Sequence, residues 1–150
     1  MADLHLEIVT IEGKVFDDHV NMVVAPGVEG VMGILPRHAP LLTRLNFGEL
    51  QIRKSGQEDI FFAIGGGVME VQPNHVIVLA DSAEQAEEID LARAEAARQR
   101  AQERLAQAKS GEIDFSQAES SLRRSVARIK VAQRRRKGGG YGTPGAPDRI

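Results

Sequence analysis

Leu4, Leu6 and Ile8 alternate with His5 and Glu7 at the start of the chain, the period-two rhythm of a half-buried strand. Val20–Val24 reads as a second apolar strand, closed by Ala25-Pro26-Gly27. Leu50 and Ile52 alternate with Gln51 and Arg53, and Ser55-Gly56-Gln57 supplies a turn. Three further apolar runs follow: Ile60–Ile64, Val68–Val71 and Val76–Ala80. Gly65-Gly66-Gly67 and Gln72-Pro73-Asn74 separate them. Short strands at this spacing predict a sandwich or barrel. Their connections are too short for crossover helices, so antiparallel neighbours are expected.

The rhythm changes near Ser82. From there to Lys137 proline is absent, and Gly111 is the lone glycine. Ile89 to Lys109 is rich in Ala, Glu, Gln and Arg, all good helix formers. Leu91, Ala94, Ala101, Leu105 and Ala108 mark a thin apolar stripe at helical spacing. A second stripe runs through Phe115, Ala118, Leu122, Val126 and Ile129. Between the two, Gly111 can end the first helix in a left-handed conformation. Asp114 with Gln117 has the pattern of a capping box opening the second. So short a loop folds the helices back antiparallel. Narrow stripes on a hairpin standing alone predict weak packing and a changeable position. The fold class expected is α+β: an antiparallel sandwich over residues 1–84, a helical hairpin over 85–137, and a Gly/Pro-rich flexible tail over 138–150.

Charge sharpens this division. Residues 1–83 carry 5 Lys and Arg against 11 Asp and Glu, a net of −6. Residues 84–150 carry 14 against 10, a net of +4, with eight basic and no acidic residues in Leu122–Lys137. Two parts of opposite sign point to two tasks. No apolar run reaches the roughly 20 residues of a membrane span, and no secretory leader is visible. With no cysteine, disulfides, thiolate metal sites and thiol nucleophiles are excluded; the composition fits the cytosol.

Catalytic patterns are missing. His5, His19, His38 and His75 lack zinc-like spacing, and His38 sits in a loop between Pro36 and Pro40. There is no G-x-S-x-G elbow and no phosphate-binding G-x-x-x-x-G-K-[ST]. Asp17-Asp18 and Glu87-Glu88 are sequence neighbours, which suits a charged turn or helix end better than a pair of catalytic acids. Gly65-Gly66-Gly67 lies between strands and leads into no helix, so it reads as a tight connection or bulge.

Two motifs go beyond class. Gly27-Val28-Glu29-Gly30-Val31-Met32-Gly33-Ile34-Leu35-Pro36-Arg37-His38-Ala39-Pro40-Leu41 closely resembles the G-x-x-G-x-x-G-x-L-P-x-H-A-P-L segment of F-type ATP synthase epsilon subunits. Ile89-Asp90-Leu91-Ala92-Arg93-Ala94 resembles that family's I-D-x-x-R-A motif at the start of its first carboxy-terminal helix. The resemblance runs from residue 3 to about residue 137. It implies a sandwich of about ten strands followed by two helices, in a non-catalytic rotor subunit of the bacterial enzyme, peripheral on the cytoplasmic face of the plasma membrane. The implied partners are the gamma subunit, the ring of c subunits and the catalytic beta and alpha subunits.

The same resemblance implies that Glu29, Val31 and His38 contact gamma and the c-ring. It implies a regulatory ATP, with no other cofactor, held by Glu84, Ile89, Asp90, Arg93, Ala94, Arg100, Arg124 and Arg128. Arg93 and Arg100 are seven positions apart, and Arg124 and Arg128 are four apart, so each pair shares a helix face. Forked guanidinium bonds suit a triphosphate. The structural alternative makes Asp90 an N-cap and the arginines a solvated face. A hairpin that moves between folded and extended positions would block ATP hydrolysis when extended. Arg123, Lys130, Arg134 and Arg135, within a basic surface that also holds Arg124, Arg128, Arg136 and Lys137, would meet an acidic part of the beta subunit. The rival reading is a nucleic-acid or ribosome-associated protein using the basic helix. One tyrosine, no tryptophan and an acidic first domain argue against it.

Overall fold

The structure, a computed structural model, describes the backbone of residues 4–108 and 112–141 and the side chains of residues 4–108 and 115–134. Eight strands come first among these residues: β1 (Leu4–Thr10), β2 (Gly13–Val20), β3 (Met22–Gly27), β4 (Gly30–Ile34), β5 (Leu41–Arg53), β6 (Ile60–Gln72), β7 (His75–Ala80) and β8 (Ala83–Gln85). A single 3-10 turn, Ala86–Glu88, leads to α1 (Leu91–Gln107) and α2 (Glu112–Tyr141).

β1 follows its sequence rhythm, with Leu4, Leu6 and Ile8 fully buried. The expected strand Val20–Val24 is instead the junction of two. Asn21 interrupts it, donating its N–H to Arg53 O at 2.8 Å and accepting from Ser55 N through its side chain at 2.6 Å. Asp17 and Asp18, expected in a turn or helix end, lie within β2. The glycine-rich segment is a strand–turn–strand, in which β3 pairs with β4 and Gly30 takes φ 135° where a side chain would be strained.

β5 and β6 are 13 residues each and pair along most of their length. The runs Ile60–Ile64 and Val68–Val71 are therefore one strand. Its first half pairs with β8 and its second half with β7. The triglycine lies where β6 passes from one layer to the other. Gly66 and Gly67 have φ of 96° and 131°, and a Cβ on Gly67 would collide with the Leu79 carbonyl. The strand order is β2-β1-β7-β6-β5-β3-β4 with β8 on β6, and the sheet folds over itself into a sandwich. Because β5 and β6 each serve both layers, eight strands do the work of the ten anticipated. The pairings are antiparallel except β1 with β7. The antiparallel expectation considered only direct connections, whereas the whole of β2–β6 forms the link between β1 and β7. Leu6, Ile8, Leu50, Ile52, Phe62, Met69, Val76 and Val78 meet in the core between the layers.

Asp90 caps α1, its Oδ1 accepting from Arg93 N at 3.1 Å. α2 begins at Glu112, so Asp114 and Gln117 lie inside it and do not open it; Gly111 lies outside the described residues. At 30 residues α2 is about 45 Å long. It runs through Gly138-Gly139-Gly140, which the sequence reading assigned to the tail. The helices pair, and α2 also lies on β5 and β6. The hairpin does not stand alone.

Candidate functional site

The interface between α2 and the sandwich brings most of the sequence-selected residues together. α2 is flanked on two sides, so its buried positions differ from the stripe that periodicity picked. Ala118, Ser125, Ala127, Ile129, Val131 and Ala132 are buried, whereas Phe115 and Val126 are about half exposed at 48% and 50%. Small side chains let the helix approach α1 and the sheet closely. Ser125 is satisfied internally, its Oγ donating to Ser121 O at 2.8 Å. Ile129, Val131 and Ala132 pack with Ala63 of β6, Ala86, Ile89 and Ala94, with Phe61 and Leu91 at the margin. This apolar cluster is separate from the sandwich core and consists largely of alanine.

Arginines frame it. Arg134 sends a fork to Glu49 of β5, with Nε to Oε2 at 2.8 Å and Nη2 to Oε1 at 2.9 Å, and its guanidinium lies 5.3 Å from the Phe61 ring centroid. The carboxylate holds Arg134 still more firmly protonated than a free arginine. Arg128 donates through Nη2 to Glu84 of β8 at 3.2 Å. Its Nε lies 2.7 Å from Glu84 Oε1 but is misaligned for a hydrogen bond, and this buried atom has no hydrogen-bond partner. Arg123 bonds the Asn46 side chain and lies 5.0 Å over the Phe47 ring; Arg124 lies 5.9 Å from the same ring. Lys130 is exposed beside Phe47 and Gly48. The Arg135 side chain lies outside those described.

Of the residues assigned to ATP, Glu84 pairs with Arg128, while Ile89 and Ala94 share the apolar cluster. Asp90 serves as the helix cap. Arg93 and Arg100 are exposed on α1, and Arg124 is exposed on α2. Glu29 and Val31 stand on the β3–β4 hairpin, Val31 with 75% of its surface exposed. His38 is half-buried, with Nδ1 2.7 Å from Ala39 O.

Sequence reading missed three features. Glu49, Asn46 and Phe47 receive the arginines, and the acidic excess of the first 83 residues was the available signal. Leu42, Val68 and Leu79 are exposed on the outer face of the sandwich. Three histidines far apart in sequence are stacked side by side.

The arrangement defines a small two-part protein, a β-sandwich clasped by a helical hairpin through arginine–carboxylate contacts. Residues 3–86 match the description "ATP synthase, Delta/Epsilon chain, beta-sandwich domain", and residues 87–133 match "ATP synthase, Delta/Epsilon chain, long alpha-helix domain". The chain belongs to the ATP synthase delta/epsilon chain family. It is 52% identical over 137 residues to the ATP synthase epsilon chain of Dehalococcoides mccartyi, covering 91% of this chain and 97% of that one. It is 46% identical over 134 residues to the epsilon chain of Halalkalibacterium halodurans, covering 89% and 100%. A chain from the Euglena gracilis mitochondrial ATP synthase shares the fold with a TM-score of 0.76 at 22% identity, over 89% of this chain and 82% of that one. Among the described residues no helix is long and apolar enough to cross a membrane.

Proposed function

We propose that the chain is a non-catalytic subunit of the central stalk of an F-type ATP synthase, peripheral on the cytoplasmic face of a bacterial membrane, and that its hairpin is a releasable brake on ATP hydrolysis. In this reading it turns with the stalk and so couples ion flow to ATP synthesis. The sandwich docks on gamma and the c-ring, and Glu29, Val31 and His38 fit this role, being carried on the β3–β4 hairpin and the loop after it. The exposed Leu42, Val68 and Leu79 add an apolar surface suited to a protein partner.

The observation that carries the brake is the nature of the clasp. α2 is held by a cluster rich in alanine and by guanidinium contacts to Glu49, Glu84 and Asn46. Such contacts are individually modest and exchangeable. The cations that grip the sandwich's own carboxylates can grip carboxylates of a beta subunit once the hairpin swings out, but not both sets together. The two states are mutually exclusive for that reason.

ATP fits as a signal that favours the folded state. Arg128 keeps a buried N–H without an aligned acceptor, and Arg124 is exposed one turn before it on the same helix. A triphosphate could draw on Arg124 directly and on Arg128 where Glu84 yields it, and Arg93 and Arg100 offer further charge from α1. No further cofactor enters this reading. ATP would act only through better binding to the folded than to the extended state. A nucleic-acid role is disfavoured because Arg123, Arg128 and Arg134 are already engaged on the sandwich.

The test joins residues 49 and 134, both changed to cysteine, with a short bis-maleimide; the chain has no native cysteine to compete. Assembled into an ATP synthase, the bridged chain should release hydrolysis from inhibition and the unbridged chain should restore it. Equal hydrolysis rates in both would overturn the brake. Calorimetric titration of ATP should show one saturable site per chain, lost in Arg124→Ala and Arg128→Ala; unchanged binding would remove the nucleotide assignment alone.

A further inference from the structure

The outer face of β2, β1 and β7 carries a row that sequence spacing conceals. Register places His19 opposite His5 on one side and His75 opposite His5 on the other. The three imidazoles stack in line, with centroids 5.0 Å apart at 15° and 4.8 Å apart at 10°. Glu7 is the next outward-facing residue of β1, and its Oε2 lies 2.6 Å from His75 Nε2. His5 Nε2 is 2.6 Å from Asp17 Oδ1. Ligand atoms of His5, Glu7 and His75 all lie within 4.8 Å of one another.

From this convergence we infer that His5, Glu7 and His75 form a binding site for a divalent transition-metal ion of zinc type. Two imidazole nitrogens and one carboxylate oxygen are the donor set that zinc accepts, with water completing a tetrahedron. Tetrahedral zinc places its ligand atoms about 3.3 Å apart. Rotation of side chains suffices to close the remaining distance, because all three stand on adjacent, hydrogen-bonded strands. The backbone is fixed by pairing and need not move. The ion takes the place of the hydrogen bond now made between His75 Nε2 and Glu7 Oε2.

The neighbours are compatible with a cation. Lys14 lies 2.7 Å from Glu7 Oε1 and 2.8 Å from Asp17 Oδ2, so its ammonium opposes the ion. Two carboxylates against one ammonium still leave the cluster negative, and Asp17 can retain Lys14 when Glu7 turns to the metal. Access is open. A cleft of about 1040 Å³ adjoins the row, walled by the histidines and by Pro36, Arg37 and Pro73. The Arg37 N–H donates to Pro73 O at 2.5 Å, tying the loop that carries His38 to this cleft. An ion held here would stiffen the end of the sandwich that presents His38.

The test is zinc titration of the full chain against a chromophoric chelator at neutral pH. One ion per chain is expected at micromolar affinity. His5→Ala, His75→Ala and Glu7→Gln should each weaken binding at least about tenfold, or about 1.4 kcal/mol. Lys14→Met should tighten it, because the opposing charge is gone while the ligands remain. His38→Ala should leave it unchanged. Circular dichroism of each variant establishes that the sandwich is intact. Absence of saturable binding to the native chain, binding indifferent to His5 and His75, or loss in His38→Ala would each overturn the assignment.

Discussion

Truncating Ile129 to alanine tests whether the hairpin and the sandwich are separable units. Ile129 is 6% exposed and packs in the cluster formed with Ala63, Ile89 and Ala94. It has no part in the main core, which is built from the strands alone. Removing most of a buried isoleucine side chain costs about 2–5 kcal/mol in a closed core. This cluster lies at an edge and can relax, so the lower part of that range applies, about 2–3 kcal/mol. The hairpin should therefore undock about 30–140 times more often. Native-state hydrogen exchange reads this directly: protection of α2 amides should fall by that factor while β1 and β7 amides keep theirs. Two results would refute the reasoning. Equal loss of protection in β1 and β7 would make the molecule one cooperative unit. A change below about threefold in α2 would mean that this cluster does not hold the helix.

Two further outcomes concern charge. Glu49→Gln keeps the shape of the side chain and removes the forked pair with Arg134; a double-mutant cycle with Arg134→Gln should give a coupling of about 1 kcal/mol, since the arginine is 40% exposed. The coupling should shrink at high salt, and a value near zero at low salt would dismiss Glu49 as a clasp. Asp18 is held below the usual carboxylate range, chiefly by the Lys54 ammonium 2.5 Å away and then by the His19 N–H. A depressed carboxylate stabilises the fold above its unfolded pKa of about 3.9 and loses that contribution as pH falls through the folded value. The melting temperatures of the native chain and Asp18→Asn should thus converge as pH falls through the folded value of Asp18, and a gap that persists in strong acid would exclude this pair as its cause.

Local pattern made the broad architecture legible. Leu4, Leu6 and Ile8 alternate because one face of β1 is buried, and Asp90 was foreseen as a possible cap from its place before a helical run. The resemblance of Gly27–Leu41 and Ile89–Ala94 to a family carried the rest. What stayed hidden was non-local. The triglycine divides β6 in sequence but only bends it in space, since hydrogen bonding to β5 continues past it. The α2 stripe was chosen for one neighbour, yet the helix has two, which leaves Val126 exposed and Val131 buried. Glu49 as the receiver of Arg134 spans 85 positions and leaves no trace in spacing. The histidine row is the extreme case: a search for metal spacing along the chain rejects it, and strand register assembles it.

The parallel pairing of β1 with β7 sets an order of events at the ribosome. β1 cannot find one of its two neighbours until His75–Ala80 has been made, 70 positions after His5. At about 5–20 residues per second that is a wait of about 4–14 s. During it Leu4, Leu6 and Ile8 have only β2 beside them. The sandwich therefore completes late in translation, and a nascent chain stalled before residue 80 should stay open to chaperones and proteases with an apolar strand edge exposed. Closure of the sandwich thus waits on the clasping of β1 by a strand made long after it.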